Sequence, residues 1–313
     1  MGKYCLGVDI GGTTVKIGLF NEQGAVQDKW EIVTRKDEGG SFILGDIAAS
    51  VDEKLEKEGI SKDDVLGMGL GIPGPITADG TVLKCVNLGW GIFNVAEEVT
   101  KLTGIKNVKV GNDANVAALG EMWQGGGKGY QNVVMMTLGT GVGGGIILNG
   151  KILTGSKGAA GEIGHITVNH HEEDTCNCGK RGCLEQFASA TGIVKEAKRL
   201  LLVSDKPSRL RDLQYLSAKT IFDAAKDEDE LANELVDQLT RYLGIAASHI
   251  AAVVDPEVFV IGGGVSKAGD ILTTRIKQNY EKNVMFALQN KEFKLAELGN
   301  DAGIFGCAKM VLD

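Results

Sequence analysis

An α/β protein in two domains is predicted by three features of the sequence. Short apolar runs with strand character alternate with longer segments whose apolar residues recur at helical spacing. One arrangement (strand, turn rich in Gly and Thr, strand) occurs twice, first from Tyr4 and again from Val133, which points to a duplicated fold. A chain of 313 residues also exceeds what one ordinary core encloses.

Taken in order, residues 4–10 read as a buried strand that turns through Gly11, Gly12, Thr13 and Thr14 into the alternating run from Val15 to Phe20. The result is a hairpin, not a strand-to-helix turn. Neither the Walker loop nor the dinucleotide fingerprint is present, since each opens a helix with its own glycine spacing. Asp9 ends the first strand beside backbone N–H groups and hydroxyls able to approach phosphate, and an ordinary turn residue is the equal alternative. Phe42, Ile43, Ile47, Val51 and Leu55 have the spacing of a helix over about 42–58. Val65 to Ile72 is a strand that ends in the rigid loop Gly71-Ile72-Pro73-Gly74-Pro75, which fits either a ligand-facing loop or a structural turn. A short strand at 108–110 leads through Gly111-Asn112-Asp113 to a helix from Ala114 to Trp123. Asp113 is expected at the helix N-cap, where it serves either as a cap or as a general base with Asn112 beside it.

Gly125-Gly126-Gly127 with Lys128 and Gly129 reads as a mobile connection near a domain boundary. The second hairpin follows: a strand from Val133 to Leu138, the turn Gly139-Thr140-Gly141-Val142-Gly143-Gly144-Gly145, then Ile146 to Leu148. Later, the polar stretch 204–212 and the charged run 226–230 read as solvated surface. A long helix spans about 230–252, a buried strand covers Val258 to Ile261, and Gly262-Gly263-Gly264 leads on into a helix. That last turn suits either a flat base lying on backbone or close helix–strand packing.

Half of the six cysteines fall within eight residues, Cys176, Cys178 and Cys183, and His165 precedes them. Three thiolates and one imidazole make the ligand set of a closed tetrahedral zinc site, structural because no position is left for water. His170 and His171 compete with His165 for the nitrogen position. Gly179 and Gly182 allow the turns that aim the sulfurs inward. Glu162 and Glu185 bracket the cluster and are either pocket acids fixed by a pinned loop or surface charges. Cys5, Cys85 and Cys307 stand apart, so a disulfide framework is not expected. The net charge of −8 without a dense basic run argues against a nucleic-acid surface, and no apolar run spans a bilayer. The cytoplasm is the expected compartment.

As an ordered set these motifs resemble the ROK family of sugar kinases and related repressors, and among them the bacterial glucokinases. The set is Asp-Ile-Gly-Gly-Thr at 9–13, Pro-Gly-Pro at 73–75, Asn-Asp at 112–113, the glycine run at 138–145, Gly-Glu-Ile-Gly-His at 161–165 and the cysteines at 176–183. The resemblance implies a two-domain, actin-like ATPase fold built on ribonuclease H-like mixed sheets flanked by helices, with a ligand cleft between the domains. A smaller domain would cover 1–120 with about 302–313, and a larger one 121–301. It further implies transfer of phosphate from ATP, with magnesium, to the 6-hydroxyl of glucose. Asp113 would be the general base. Gly71, Pro73, Gly74, Asn112, Glu162, His165 and Glu185 would hold the sugar. Gly11, Gly12, Thr13, Thr14 and Lys16 would face phosphate with Gly139, Thr140, Gly141, Val142, Gly143 and Gly144. Asp9 would sit near magnesium, and Gly262, Gly263 and Gly264 against adenosine. His165, Cys176, Cys178 and Cys183 would bind zinc. A homodimer or higher homo-oligomer is expected, with no nucleic acid or membrane partner.

Other readings are a kinase for N-acetylmannosamine or fructose, a sugar-responsive repressor and an actin-like assembly protein. The repressor needs an N-terminal helix-turn-helix, for which a first strand starting by residue 4 leaves no room. The assembly protein has no use for the Asn-Asp pair and the Glu/His set.

Overall fold

The computed structural model describes residues 3–313. Its first elements are β1 (Tyr4–Ile10), β2 (Thr14–Asn21), β3 (Val26–Val33), the single turn α1 (Asp37–Gly40), α2 (Ile43–Lys57) and β4 (Val65–Ile72). A two-stranded ribbon of β5 (Thr81–Val82) and β6 (Phe93–Asn94), α3 (Val95–Thr103), β7 (Val108–Asn112) and α4 (Asp113–Gln124) follow. Then come β8 (Val133–Leu138), β9 (Val142–Leu148), β10 (Lys151–Ile152), α5 (Glu185–Ala188), α6 (Ala190–Val203), α7 (Ala218–Lys226) and α8 (Glu230–Val254). The chain closes with β11 (Val258–Gly262), α9 (Asp270–Asn283), β12 (Glu292–Leu295) and α10 (Ala302–Leu312).

The duplication read from the sequence is present in the topology. One sheet has the order β3-β2-β1-β4-β7 and the other β10-β9-β8-β11-β12, so each lays two strands on one side of its founding strand and two on the other. Both sheets are mixed: β1–β2 and β2–β3 are antiparallel while β1–β4 and β4–β7 are parallel, and β8–β11 and β11–β12 are parallel. The chain forms two compact units. The first comprises the chain through Gly129 with Gly145–Ala160 and Leu298–Asp313, and the second Tyr130–Gly144 and Gly161–Glu297.

In the first unit β4 shows how the sheet is covered. Its side chains alternate between glycine and large apolar residues. Met68, Leu70 and Ile72 enter a core with Ile43, Ile47, Val51 and Leu55 of α2 and with Val95 and Val99 of α3. On the opposite face Gly67, Gly69 and Gly71 leave room for α10, because a Cβ on Gly69 would overlap the Cys307 carbonyl. The same economy joins α10 to α4, where a side chain on Gly120 or Gly306 would run into the facing helix backbone. In the second unit α8 is buried along most of its length between neighbouring helices, capped at the start by Asp229, whose carboxyl accepts from Ala232 N, and closed by Asp255 in the left-handed conformation. Among the described residues no helix is long and apolar enough to cross a membrane.

The glycine run after α4 is not the mobile connection its composition suggests. Gly125, Gly126 and Gly127 are buried, and Gly125 N and Gly127 N both donate to the Glu121 carbonyl at 3.1 and 3.0 Å. The fully buried Glu121 side chain accepts from Gly126 N through Oε2 and from Leu298 N through Oε1, each at 2.9 Å. A Cβ on Gly125 would overlap that carboxyl group, so the glycine here serves close approach, not freedom. Glu121→Ala leaves two backbone donors without their acceptor and is expected to cost roughly 2–4 kcal/mol of stability, with Glu121→Gln costing less. The urea midpoints of both variants check this, and equal midpoints for alanine and wild type would remove Glu121 as the fastener.

Candidate active site

In the first unit three parallel strands finish level with one another. Asp9 at the end of β1 lies opposite Gly71 of β4, and Ile72 of β4 lies opposite Asn112 of β7. The carboxyl edge of a parallel sheet is where α/β folds place ligands, because the loops there diverge and leave a crevice. The Gly11–Thr14 turn is closed by Gly11 N donating to the Thr14 carbonyl at 3.0 Å, and the Thr34 hydroxyl donates to the Gly11 carbonyl at 2.8 Å. A Cβ on Gly12 would have open space around it. Lys16 faces Asp9 across the hairpin and its amine donates to the Asn300 carbonyl at 3.1 Å.

Asp113 is not the N-cap. Asn112 is, because its backbone is extended (φ −67°, ψ 141°) while its side chain accepts from Asn115 N at 3.1 Å, so Asp113 opens α4 as its first residue. The Asp113 Oδ1 accepts from Ala114 N at 2.8 Å and from the Asn112 amide at 3.0 Å, and that same amide donates to the Gly74 carbonyl at 3.1 Å. One amide therefore ties the Pro-Gly-Pro loop to the acid. Gly74 needs its positive φ of 114°, and a Cβ there would press on the Lys84 carbonyl at 2.8 Å.

The second unit gathers the rest. His165, Cys176, Cys178 and Cys183 present one donor atom each, all within 4.8 Å of one another. The Cys178–Cys183 sulfurs are 3.6 Å apart and Cys176 Sγ lies 3.7 Å from His165 Nδ1. Ligands on a tetrahedral zinc with bonds near 2.3 Å stand about 3.8 Å apart, so the donor set fits that ion. Burial, then the neighbouring thiols, pushes the Cys183 thiol up to about 12, and a bound cation is what such a group needs to stay ionised. Gly179 and Gly182 both have positive φ, and His170 and His171 are exposed outside the set. Glu162 is exposed at the start of the short turn that carries His165. Glu185 opens α5 and its Oε2 accepts from Val142 N at 3.0 Å.

The turn at 139–145 is shorter than its glycines suggest, since β9 already begins at Val142. At 262–264 close packing is what is seen at Gly263, and Gly264 faces open space. Gly263, at φ 82°, packs so closely that a Cβ would press on the Leu138 carbonyl, whereas Gly264 has nothing within 4 Å of that position. A short 3-10 turn, Gly264–Ala268, precedes α9 there. A cavity of about 650 Å³ beside Thr140 is lined by Thr191, Val194, Lys195, Lys198 and Ser217 among others.

Two groups were not singled out in the sequence. Arg199 on α6 makes a two-pronged pair with Glu172 (2.9 and 2.9 Å) and reaches Asp174 at 2.6 Å, bracing the arm that leads into the cysteines. Arg199 holds the Glu172 carboxyl down to about 2. Thr191, at the start of α6, reaches back to the Thr140 carbonyl, and the Ser189 hydroxyl lies beside it at 3.0 Å. A helix cap at Ser189 was the one signal available for the second group, and nothing local marked the first.

Asp9 is held in a costly state. Burial, then the nearby Asp113, raises its carboxyl from 3.8 to about 6, while Lys16 opposes the rise. A carboxyl raised on folding disfavours the fold where it is ionised, so the cost is absent below 3.8 and complete above about 6. Asp9→Asn should therefore stabilise the unliganded protein near neutral pH by on the order of 2–3 kcal/mol, with the gain fading as pH falls toward about 4. Urea unfolding across that range checks the sign, and a difference independent of pH would refute it.

The chain matches known proteins along nearly its whole length. A model of the ROK family matches residues 5–313. The glucokinase of Halalkalibacterium halodurans is 47% identical over 311 residues, covering 97% of this chain and 93% of that one. The glucokinase of Thermotoga maritima is 34% identical, covering 98% of this chain and 96% of that one. Among solved structures, a ROK family glucokinase from Streptomyces griseus in complex with glucose and AMPPNP superposes with a TM-score of 0.73 at 32% identity, covering 98% of each chain. With the doubled mixed sheet these matches give the two-domain, actin-like ATPase fold, and the chain belongs to the ROK family.

Proposed function

We propose that the protein is an ATP-dependent hexokinase that phosphorylates the 6-hydroxyl of glucose. The observation that carries this reading is the near full-length match to glucokinases, in a chain whose Asn112–Asp113 pair stands at the carboxyl ends of the parallel strands of a mixed sheet. Phosphoryl transfer asks the protein for positioning, charge neutralisation and a base for the attacking hydroxyl. Asp113 is assigned the base, removing the 6-hydroxyl proton as its oxygen attacks the γ-phosphate. The Asn112 amide holds Asp113 Oδ1 and the Gly74 carbonyl together, so the base and the loop offered to the sugar keep a fixed geometry. Glu162, His165 and Glu185 are assigned the other hydroxyls. The turns at 11–14 and 139–144 are assigned the phosphates through backbone N–H groups, with Lys16 adding charge. The cavity beside Thr140 and the bare face of Gly264 are assigned the nucleoside. Magnesium supplies charge neutralisation to the phosphates when bound, and Asp9 is the carboxylate assigned to it. A homodimer is the proposed assembly.

A coupled ADP-release assay over a panel of hexoses tests the reading. Glucose is expected to give the highest kcat/KM, ahead of fructose and N-acetylmannosamine, and Asp113→Asn is expected to lower kcat about a hundred- to ten-thousand-fold with glucose binding retained. A better rate on another hexose overturns the substrate, and near-normal turnover by a folded Asp113→Asn overturns the base.

The four-donor cluster is proposed to hold one structural zinc per chain. Three thiolates and an imidazole fill the tetrahedron, so its work is to fix the segment that presents His165 and Glu185. Cys178→Ala should lose the metal on elemental analysis and raise the KM for glucose steeply. A zinc-free variant with normal glucose kinetics would separate the cluster from the pocket.

A further inference from the structure

The segment that leaves the cysteine cluster fastens the second glycine turn. Ala190 N donates to the Gly139 carbonyl at 2.8 Å, and the Thr191 hydroxyl donates to the Thr140 carbonyl at 2.7 Å. Val142 N donates to Glu185 Oε2 at 3.0 Å, so three successive peptide groups of the turn are anchored on Glu185–Thr191. Behind them, the Ser189 hydroxyl donates to the Glu185 carbonyl at 2.7 Å and lies 3.0 Å from the Thr191 hydroxyl. Ser189 is fully buried and caps α6 through Gly192 N.

The consequence follows from peptide planarity. In a trans peptide the carbonyl and the following N–H point in opposite directions. A Gly139 carbonyl drawn toward α6 turns Thr140 N–H away from it, and a Thr140 carbonyl drawn toward α6 turns Gly141 N–H away as well. Two neighbouring N–H groups are thus presented on the side of the turn opposite α6, which is the arrangement that binds an anion. One of the two carbonyl anchors is main chain. The other is a side chain, and therefore a choice made by the sequence.

We propose that Thr191 is a positioning residue for the nucleotide phosphates: its hydroxyl, by holding the Thr140 carbonyl, aims Gly141 N–H at the phosphate chain of ATP. The proposal rests on the reading that the 139–142 turn faces the phosphates. Thr191 also lines the cavity assigned to the nucleoside, so its hydroxyl is judged by a variant that keeps the shape of that wall, and because it is exposed its loss leaves the core intact. The segment fixed by the cysteine cluster then governs the nucleotide as well as the sugar.

The test compares Thr191→Val, Thr191→Ser and Gly139→Val with wild type in steady-state kinetics, with glucose binding measured separately by calorimetry. Thr191→Val keeps the shape and removes the donor, and is expected to raise the KM for ATP about five- to tenfold, the worth of one hydrogen bond. The glucose dissociation constant should not move, and Thr191→Ser should restore the ATP value. An unchanged ATP KM in Thr191→Val, or equal losses for both substrates, overturns the proposal. Gly139→Val separates the premise from the proposal, because a Cβ at Gly139 has nearly open space and its branches would obstruct a phosphate without disturbing the fold. A normal ATP KM in Gly139→Val overturns the placement of the turn, and the role of Thr191 with it. A raised value there beside a normal one in Thr191→Val overturns the role of Thr191 alone.

Discussion

Parallel pairing in fixed register is the constraint on which the first unit depends. Once Asp9 is opposite Gly71 and Ile72 opposite Asn112, three strand ends come level, and the chain has no freedom to deliver its acids anywhere else. A slip of one residue would turn every side chain to the other face of the sheet. The glycines of β4 make that slip doubly costly, because Met68 or Leu70 would then face the backbone of α10, where only glycine fits. Sheet packing and site geometry are therefore specified by the same alternation.

The elements with strong periodicity were legible in the sequence. The paired hairpins, α2 and the long α8 stand where apolar spacing puts them, and the four candidate metal donors converge as their residue types suggest. Local rules failed where a neighbour of equal aptitude or a distant partner decides. Asp113 is a good cap by residue type, but Asn112 carries the extended backbone and takes the role, which releases the acid for other contacts. Gly125–Gly127 reads as a flexible run because nothing nearby reveals that Glu121 is buried beneath it and also reaches Leu298. The alternation of glycine along β4 was visible, but its meaning was not, since the helix it accommodates lies far along the chain. Arg199 and Glu172 were invisible for the same reason: a paired charge looks like any solvated one until its partner is placed.

Each site group is held by something unlike itself. The Asn112 amide fixes Asp113, buried surroundings raise the Asp9 carboxyl, and a helix start steadies a glycine turn. Asp9 differs from the others in that burial, then Asp113, works against its charged form and pushes the carboxyl up to about 6. The cysteine segment differs again, since its four donor atoms converge within 4.8 Å of one another.

The packing of α10 also has a bearing on how the chain acquires its structure. Cys5 and Phe20, from the first two strands, share a core cluster with Ile304, Ala308 and Val311 of the last helix. During synthesis that face of the early sheet emerges from the ribosome long before its cover is made, and glycine-rich β4 can hide little of it alone. Closure of the first unit is thus a contact of very high sequence separation, a topology that slows folding and leaves apolar surface open to chaperones or to other nascent chains in the interval. The second unit waits too, since β8 cannot pair until β11 is made, but its partners Val133 and Val258 lie closer along the chain than β1 and α10 do.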